Sequence, residues 1–270
     1  MKKITRVKIQ YFLRRLGLLA LAEKIRYVRE SLRYKSTNRQ FRKENPGFVL
    51  PPSYLAFDAY SAPDWYHYKQ SGEKSAEFIY KIAKKHLIDP DAIYEWGCGP
   101  ARIIRHLPGV AENNIQIVGS DYNPETIEWA QKNISGVSFH LNMLTPPLAY
   151  ENEVFDLIYA ISVFTHLSEQ NALKWIDELH RVLKTNGILL ITTTGELNYQ
   201  TELLDHERKV YESKGVVVRD QYPEGKKMYL TNHNPAYVRS TLLRKFKILE
   251  HVPNGFPMMK QELWIARKLD

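Results

Sequence analysis

Apolar positions along the chain change their period several times, and each change predicts an element. Ile9, Leu13, Leu16 and Ala20 are spaced for one face of a helix, and Ile25, Val28 and Leu32 repeat that spacing. One or two amphipathic helices are therefore expected near the N-terminus. Residues 46–72 lose the period and are rich in Pro, Gly and aromatics, which reads as a linker or lid. Ala76, Ile79, Tyr80, Ala83 and Leu87 return to helical spacing, and Pro90 closes that helix. From residue 92 short apolar runs alternate with amphipathic ones. "AIYEWG", "IQIVGSDY", "VSFHLNML", "FDLIYAIS" and "GILLITTT" read as strands. "ARIIRHL", "PETIEWAQKNI" and "NALKWIDELHRVL" read as the helices between them.

Apolar strands separated by helices fold into a parallel sheet covered on both faces. The C-terminus breaks this rule. "NPAYVRSTLLRKF" reads as a helix, then "KILEHV" and "QELWIARKL" are strands joined by a loop holding Asn254, Gly255 and Pro257. So short a loop excludes a helical crossover, so the last two strands are antiparallel. The expected fold class is α/β: a doubly wound seven-stranded sheet, mostly parallel, with a C-terminal antiparallel hairpin and an N-terminal helical arm. The expected organisation is an arm at 1–45, a linker or lid at 46–72, and a domain at 73–270 whose residues 195–233 form an inserted cap.

Charge changes this picture at one end only. The chain is +8 overall, yet residues 1–45 hold fourteen Lys/Arg against three Glu, a net +11 that leaves the remainder at −3. The basic character therefore belongs to the arm. A single cysteine, Cys98, excludes an internal disulfide and a cysteine-based zinc site, which fits a reducing, cytoplasmic setting. Arg14 and Arg15 interrupt the first apolar run, so it reads as neither a signal peptide nor a membrane span.

The chemistry starts at "IYEWGCGPAR", residues 93–102, a strand running into a glycine turn. Gly97 and Gly99 carry no side chain, so a ligand can approach the turn closely. A dinucleotide enzyme places glycine at the last position of G-x-G-x-x-G, and here that position is Arg102. Asp121, closing "IVGSD", suits the two hydroxyls of a ribose. Asn142 and Met143, ending the third strand, place a polar group beside a soft apolar one, which suits an adenine edge and face. A nucleoside without a diphosphate is the expected ligand.

Glu95-x-Gly97-x-Gly99, Asp121, Asn142 and "FDLIYAISVFTHL" stand in an order that resembles class I S-adenosylmethionine-dependent methyltransferases, over roughly residues 73–268. The resemblance departs at Ala101, where a third glycine is usual, and at Asn142, where Asp is commoner. It implies a Rossmann-like fold with S-adenosyl-L-methionine as cofactor. Gly97, Cys98 and Gly99 would lie against the methionine part and Glu95 would support its amino group. Asp121 would hold the ribose. Tyr122, Asn142 and Met143 would meet the adenine, and Ala160 and Ser162 would line the path to the sulfonium. For Tyr122 and Ser162, ordinary packing is an equal reading.

Two histidines are candidate bases. His166, in "SVFTHLSE" just after the fourth strand, faces the carboxyl ends of the sheet or simply packs beside the next helix. His233, in "LTNHNPAYV", either belongs to the acceptor pocket or is a turn residue. Tyr66, within "WYHYKQSGEKS", offers an aromatic face to the sulfonium or packs in a core. No Asn/Asp-Pro-Pro-aromatic motif follows the fourth strand, which disfavours nucleic-acid amino-methylation. No clustered carboxylates suit magnesium, so no metal is expected. One cysteine cannot run a paired-thiol mechanism.

The expected activity is methyl transfer to a hydroxyl of a glycan, a lipid-linked sugar or a small molecule. The alternatives are a non-catalytic cofactor-binding regulatory module and an RNA or small-molecule methyltransferase. The arm reads as a solvated face, a nucleic-acid contact or a membrane-surface contact. Only the last uses both its apolar and its basic side, which places the protein at the inner face of the membrane.

Overall fold

The structure, a computed structural model, describes residues 2–112 and 114–269, and side chains from residue 7 onward. Met1, at the head of the 1–45 arm, and Asp270, at the end of the 73–270 domain, lie outside the described residues, as do the side chains of Lys2, Lys3 and Arg6. Helices α1 (Lys2–Arg15), α2 (Leu19–Arg33), α3 (Lys35–Glu44), α4 (Ser53–Tyr60) and α5 (Trp65–His86) precede strand β1 (Ala92–Trp96). Then come β2 (Gln116–Asp121), α6 (Pro124–Asn133), β3 (Ser138–Leu141), β4 (Phe155–Ala160), α7 (Glu169–Val182) and β5 (Leu183–Thr193). The rest holds α8 (Glu196–Glu202), α9 (Asp205–Lys214), β6 (Val216–Arg219), β7 (Leu230–His233), β8 (Phe246–Val252) and β9 (Glu262–Lys268).

Seven strands form one sheet in the order β3-β2-β1-β4-β5-β9-β8, and β6 and β7 pair separately. β1 runs parallel to β2 from Ala92↔Gln116 to Trp96↔Ser120. β5 meets β9 antiparallel from Ile188↔Arg267 to Thr193↔Glu262, and β9 meets β8 antiparallel. This is the expected seven-stranded, mostly parallel Rossmann-like sheet, with the antiparallel hairpin where the short loop required it. β1 is buried at every position, which is why it reads as an unbroken apolar run rather than an alternating one.

Chain contacts divide the molecule into two units, residues 20–142 and residues up to 19 together with those from 143 onward. In the first unit the 46–72 stretch is more regular than its composition suggests. Asp64 accepts from the His67 N–H at 3.1 Å and caps α5, which therefore begins at Trp65. Trp65 and Tyr68, one turn apart, pack with Phe41 of α3 and Ala56 of α4. Asn38 ties α3 to the same place, donating to Pro63 O at 2.6 Å and accepting from the Trp65 N–H at 3.2 Å. The helix expected over "ARIIRHL" is absent. Ala101 has φ 55, which no right-handed helix accommodates, and a 3₁₀ turn over Ile104–Gly109 contains Pro108.

In the second unit Arg14 of α1 is buried, donating to Arg219 O at 3.1 Å and Met228 O at 2.6 Å. Burial and the neighbouring Arg219 lower its pKa from the ordinary arginine range. Nearby, Glu207 and Arg219 form a buried pair at 2.7 Å, with the Leu204 N–H also donating to Glu207. α1 is thus seated on the cap through specific bonds.

Candidate functional site

In the unit 20–142 the chain leaves β1 through three left-handed residues, Gly97 (φ 75), Gly99 (φ 50) and Ala101 (φ 55). Glycine takes that conformation without strain, and Ala101 takes it at a cost. The Gly97 and Cys98 N–H groups both donate to Ser120 O at 2.8 Å, which fastens the turn to the end of β2. The Gly99 N–H donates to one Asp121 carboxylate oxygen and the Asn123 N–H to the other, each at 2.9 Å. Two backbone donors therefore orient the carboxylate, and charge-assisted bonds of this kind are the strong ones.

Asn142 is held by the same strand end. Its N–H donates to Asp121 O at 3.1 Å, and its side-chain oxygen accepts from Ser120 Oγ at 2.7 Å. Ser120 Oγ is in turn 2.5 Å from Tyr94 Oη. The structure so brings Gly97, Cys98, Gly99, Asp121 and Asn142 into one bonded cluster. Tyr122 is half-buried beside it, and Glu95 is buried in β1. Cys98 is buried, and desolvation first, then the charges of Asp121 and Glu95, push its thiol pKa well above the ordinary value. It contributes backbone rather than nucleophilicity.

Tyr66 is turned elsewhere. Its hydroxyl donates to the Glu44 carboxylate and its ring packs 5.0 Å from Phe41, both on α3. The aromatic residue against the turn is Tyr60, whose hydroxyl would stand 3.2 Å from a Cβ placed on Gly99. Arg102 lies 4.8 Å over the Tyr60 ring and donates to Ser71 Oγ at 2.8 Å, while Tyr68 donates to Pro100 O at 2.5 Å. No local pattern marks these residues. Only helix phase, with Trp65, Tyr68 and Ser71 following one another at intervals of three residues along α5, hints at them.

In the unit that starts at 143, Met143 is exposed and Ala160 is buried at the end of β4. Ser162 follows with φ 62. Its N–H donates to Thr192 Oγ1 at 2.8 Å and its Oγ accepts from Gln261 at 2.5 Å. Non-glycine residues in that region mark strain, which concentrates at functional loops.

His166 lies on a 3₁₀ turn over Phe164–His166, with Nδ1 2.8 Å from Tyr229 O. A carbonyl only accepts, so in the neutral ring Nδ1 carries the proton and Nε2 the lone pair. The cap clamps the same loop at three more points. Gly225 N–H donates to His166 O at 2.9 Å, Thr231 Oγ1 to Leu167 O at 2.5 Å, and Ser168 N–H to Glu224 at 2.7 Å.

His233 does not share this setting. It ends β7 with 1% exposure, its Nδ1 has no hydrogen-bond partner, and desolvation pulls its pKa down to about 4. A sealed ring of that kind is no ready base, and four residues of strand give too little periodicity to reveal its burial. The sign of its pH effect is fixed. The unfolded residue titrates near 6.5 and the folded one near 4, so stability is full above about pH 6.5 and falls as pH drops toward about 4. Replacing His233 with Gln should shrink the difference between melting temperatures at pH 7 and pH 5; an unchanged difference would show the ring reaches solvent. Among the described residues no group of three or more His, Cys, Asp or Glu is arranged to hold a metal ion.

Fold and site together define a doubly wound domain whose first strand leads into a glycine turn fastened to the end of β2 by an oriented carboxylate. Residues 94–191 match a family model described as a methyltransferase domain. A SAM-dependent methyltransferase from Methanosarcina mazei is similar with a TM-score of 0.52 at 20% identity, over 70% of this chain and 98% of its own. The 1,6-didemethyltoxoflavin N1-methyltransferase of Burkholderia thailandensis, solved with 1,6-didemethyltoxoflavin and S-adenosylhomocysteine, is similar with a TM-score of 0.54 at 12% identity, over 83% and 93%. Residues 94–191 thus carry the likeness of a methyltransferase domain, on a fold shared with S-adenosylmethionine-dependent methyltransferases, whose cofactor is S-adenosyl-L-methionine. The residues present fit that group: side-chain-free backbone at Gly97 and Gly99, an oriented carboxylate at Asp121 and a fixed amide at Asn142.

Proposed function

We propose that the protein methylates a hydroxyl on a glycan, a lipid-linked sugar or a small molecule, with His166 as the base. The cofactor's sulfonium supplies the methyl group. In the same reading Gly97, Cys98 and Gly99 receive the methionine part, with Glu95 near its amino group. Asp121 takes the ribose hydroxyls, and Tyr122, Asn142 and Met143 take the adenine. Ala160 and Ser162 border the approach to the reacting carbon.

The observation that carries the choice of base is the Nδ1 bond of His166 to Tyr229 O. It fixes the tautomer in which Nε2 accepts the acceptor's proton as the new O–CH₃ bond forms. Ring orientation is held at both ends of the bond, because the cap segment carrying Tyr229 is itself tied to the 164–168 loop. Positioning of this sort is most of what a displacement at carbon asks of a protein.

The test is an acceptor panel with radiolabelled methyl donor, run on wild type and His166→Gln. Turnover of a hydroxyl acceptor should fall by about a hundredfold or more. The acidic limb of the kcat/KM profile should disappear with it. Unchanged turnover would remove the histidine from the mechanism. Tight cofactor binding with no transfer to any acceptor would support a regulatory module instead. For residues 1–45 the proposed partner is an anionic membrane surface, which puts the protein on the cytoplasmic face. Among the described residues no helix is long and apolar enough to cross a membrane.

A further inference from the structure

We propose that α2 is the membrane-contacting element, lying along an anionic lipid surface with Leu21, Ile25, Val28 and Leu32 in the interface. The proposal narrows the membrane reading of residues 1–45 and rests on it, but is independent of the methyl acceptor. These four side chains are 55–66% exposed. Their spacing of four, three and four residues puts them in a single stripe about 16 Å long. An exposed aliphatic stripe of that kind marks an interaction surface rather than ordinary scatter.

The opposite side of α2 is already occupied. Tyr27 Oη is 2.7 Å from Ser53 Oγ, and its ring is 5.2 Å from Phe57. Arg26 stands 5.6 Å over the same Phe57 ring. The helix is therefore docked through its polar-aromatic face with its aliphatic face left outward, the reverse of a helix awaiting a core.

Charge selects the partner. The two carboxylates of α2 are on the docked side and paired: Glu23 with Arg26 at 3.2 Å, Glu30 with Arg29 at 2.7 Å and with Arg33 at 3.5 Å. On α2 Lys24, Arg29 and Arg33 are exposed, the last two also reaching Glu30, and the following α3 exposes Lys35, Arg39, Arg42 and Lys43 against one exposed carboxylate, Glu44, which Tyr66 bonds. An apolar stripe on a helix that exposes cations and no carboxylate of its own fits the headgroup-to-acyl boundary of an anionic bilayer. A second copy would bring cations against cations, and a nucleic acid has no use for four exposed aliphatics. Arg14 plays no part in lipid contact, because it is buried under the cap.

The experiment is co-sedimentation of the full chain with phosphatidylcholine vesicles, with and without phosphatidylglycerol. The wild type should bind the anionic vesicles and lose binding as salt is raised. Ile25→Gln with Val28→Gln should weaken binding by about tenfold or more, since each buried aliphatic contributes strongly to partitioning. Lys24→Gln with Arg33→Gln should flatten the salt dependence. Calorimetry with S-adenosylhomocysteine should give the wild-type affinity for both variants, so a failure of the membrane proposal is separated from a failure of the cofactor site. Equal binding to neutral vesicles, undiminished binding by the Ile25/Val28 variant, or a solution dimer that this variant dissolves would overturn the proposal.

Discussion

Asp121→Ala should raise the dissociation constant for S-adenosylhomocysteine by about tenfold to about a hundredfold, measured by calorimetry. A hydrogen bond to a charged group contributes about 1.5–3 kcal/mol, and each 1.4 kcal/mol is a factor of ten. Two losses combine in this variant. The proposed ribose acceptor goes, and so does the carboxylate that receives the Gly99 and Asn123 N–H groups at 2.9 Å. The second loss removes one of the bonds that hold the turn, with Gly99 at φ 50, beside those to Ser120 O and from Tyr68 to Pro100 O. Asp121→Asn separates the two. Its amide keeps one acceptor oxygen but points an N–H₂ at one of the two backbone donors, so its effect should be intermediate in affinity and include a lower melting temperature. Wild-type affinity in Asp121→Ala would mean that the nucleoside is held elsewhere.

Much of this site is legible in the sequence because backbone geometry imposes residue type. Gly97 and Gly99 are glycines since the turn needs positive φ there, and Asp121 ends its strand because the carboxylate closes the turn. The strands are legible for a related reason: burial on both faces produces unbroken aliphatic runs, as in β1. What stayed hidden depends on partners far along the chain. Arg14 reads as a solvated cation on an amphipathic helix until its carbonyl acceptors at 219 and 228 are known. Tyr60 reads as linker until α4 places its hydroxyl over Gly99. The stretch after the turn looked helical because Ile103, Ile104 and Leu107 have helical spacing, yet a left-handed Ala101 and Pro108 leave only a 3₁₀ turn. The apolar stripe of α2 is the inverse case. Its period was visible, but a period alone cannot say whether the stripe faces the core or the outside.

Gly72→Ala is expected to be the most damaging conservative change in the unit 20–142. Gly72 sits in the interior of α5, where alanine is ordinarily better by about 1 kcal/mol. Packing reverses the sign. A Cβ there would lie 2.0 Å from Arg102 O and 2.9 Å from His106 Cδ2. The nearer atom is backbone, so relief requires shifting α5 or the whole loop after the glycine turn. Overpacking of this kind costs about 1–3 kcal/mol and more when backbone must move. A net loss of about 2–3 kcal/mol corresponds to a melting temperature lower by roughly 5–10 °C in a chain of this size. Gly47→Ala is the matched control, because nothing lies within 4 Å of its would-be Cβ, and it should change stability by less than about 0.5 kcal/mol. Function should follow stability in this variant. Ser71, next to Gly72, accepts from Arg102, and Arg102 lies over the Tyr60 ring beside Gly99, so displacing residue 102 loosens the turn that is proposed to receive the cofactor. A melting temperature equal to or above that of the wild type would mean that α5 does not rest on the carbonyl of residue 102, and the route from helix packing to glycine turn would fall with it.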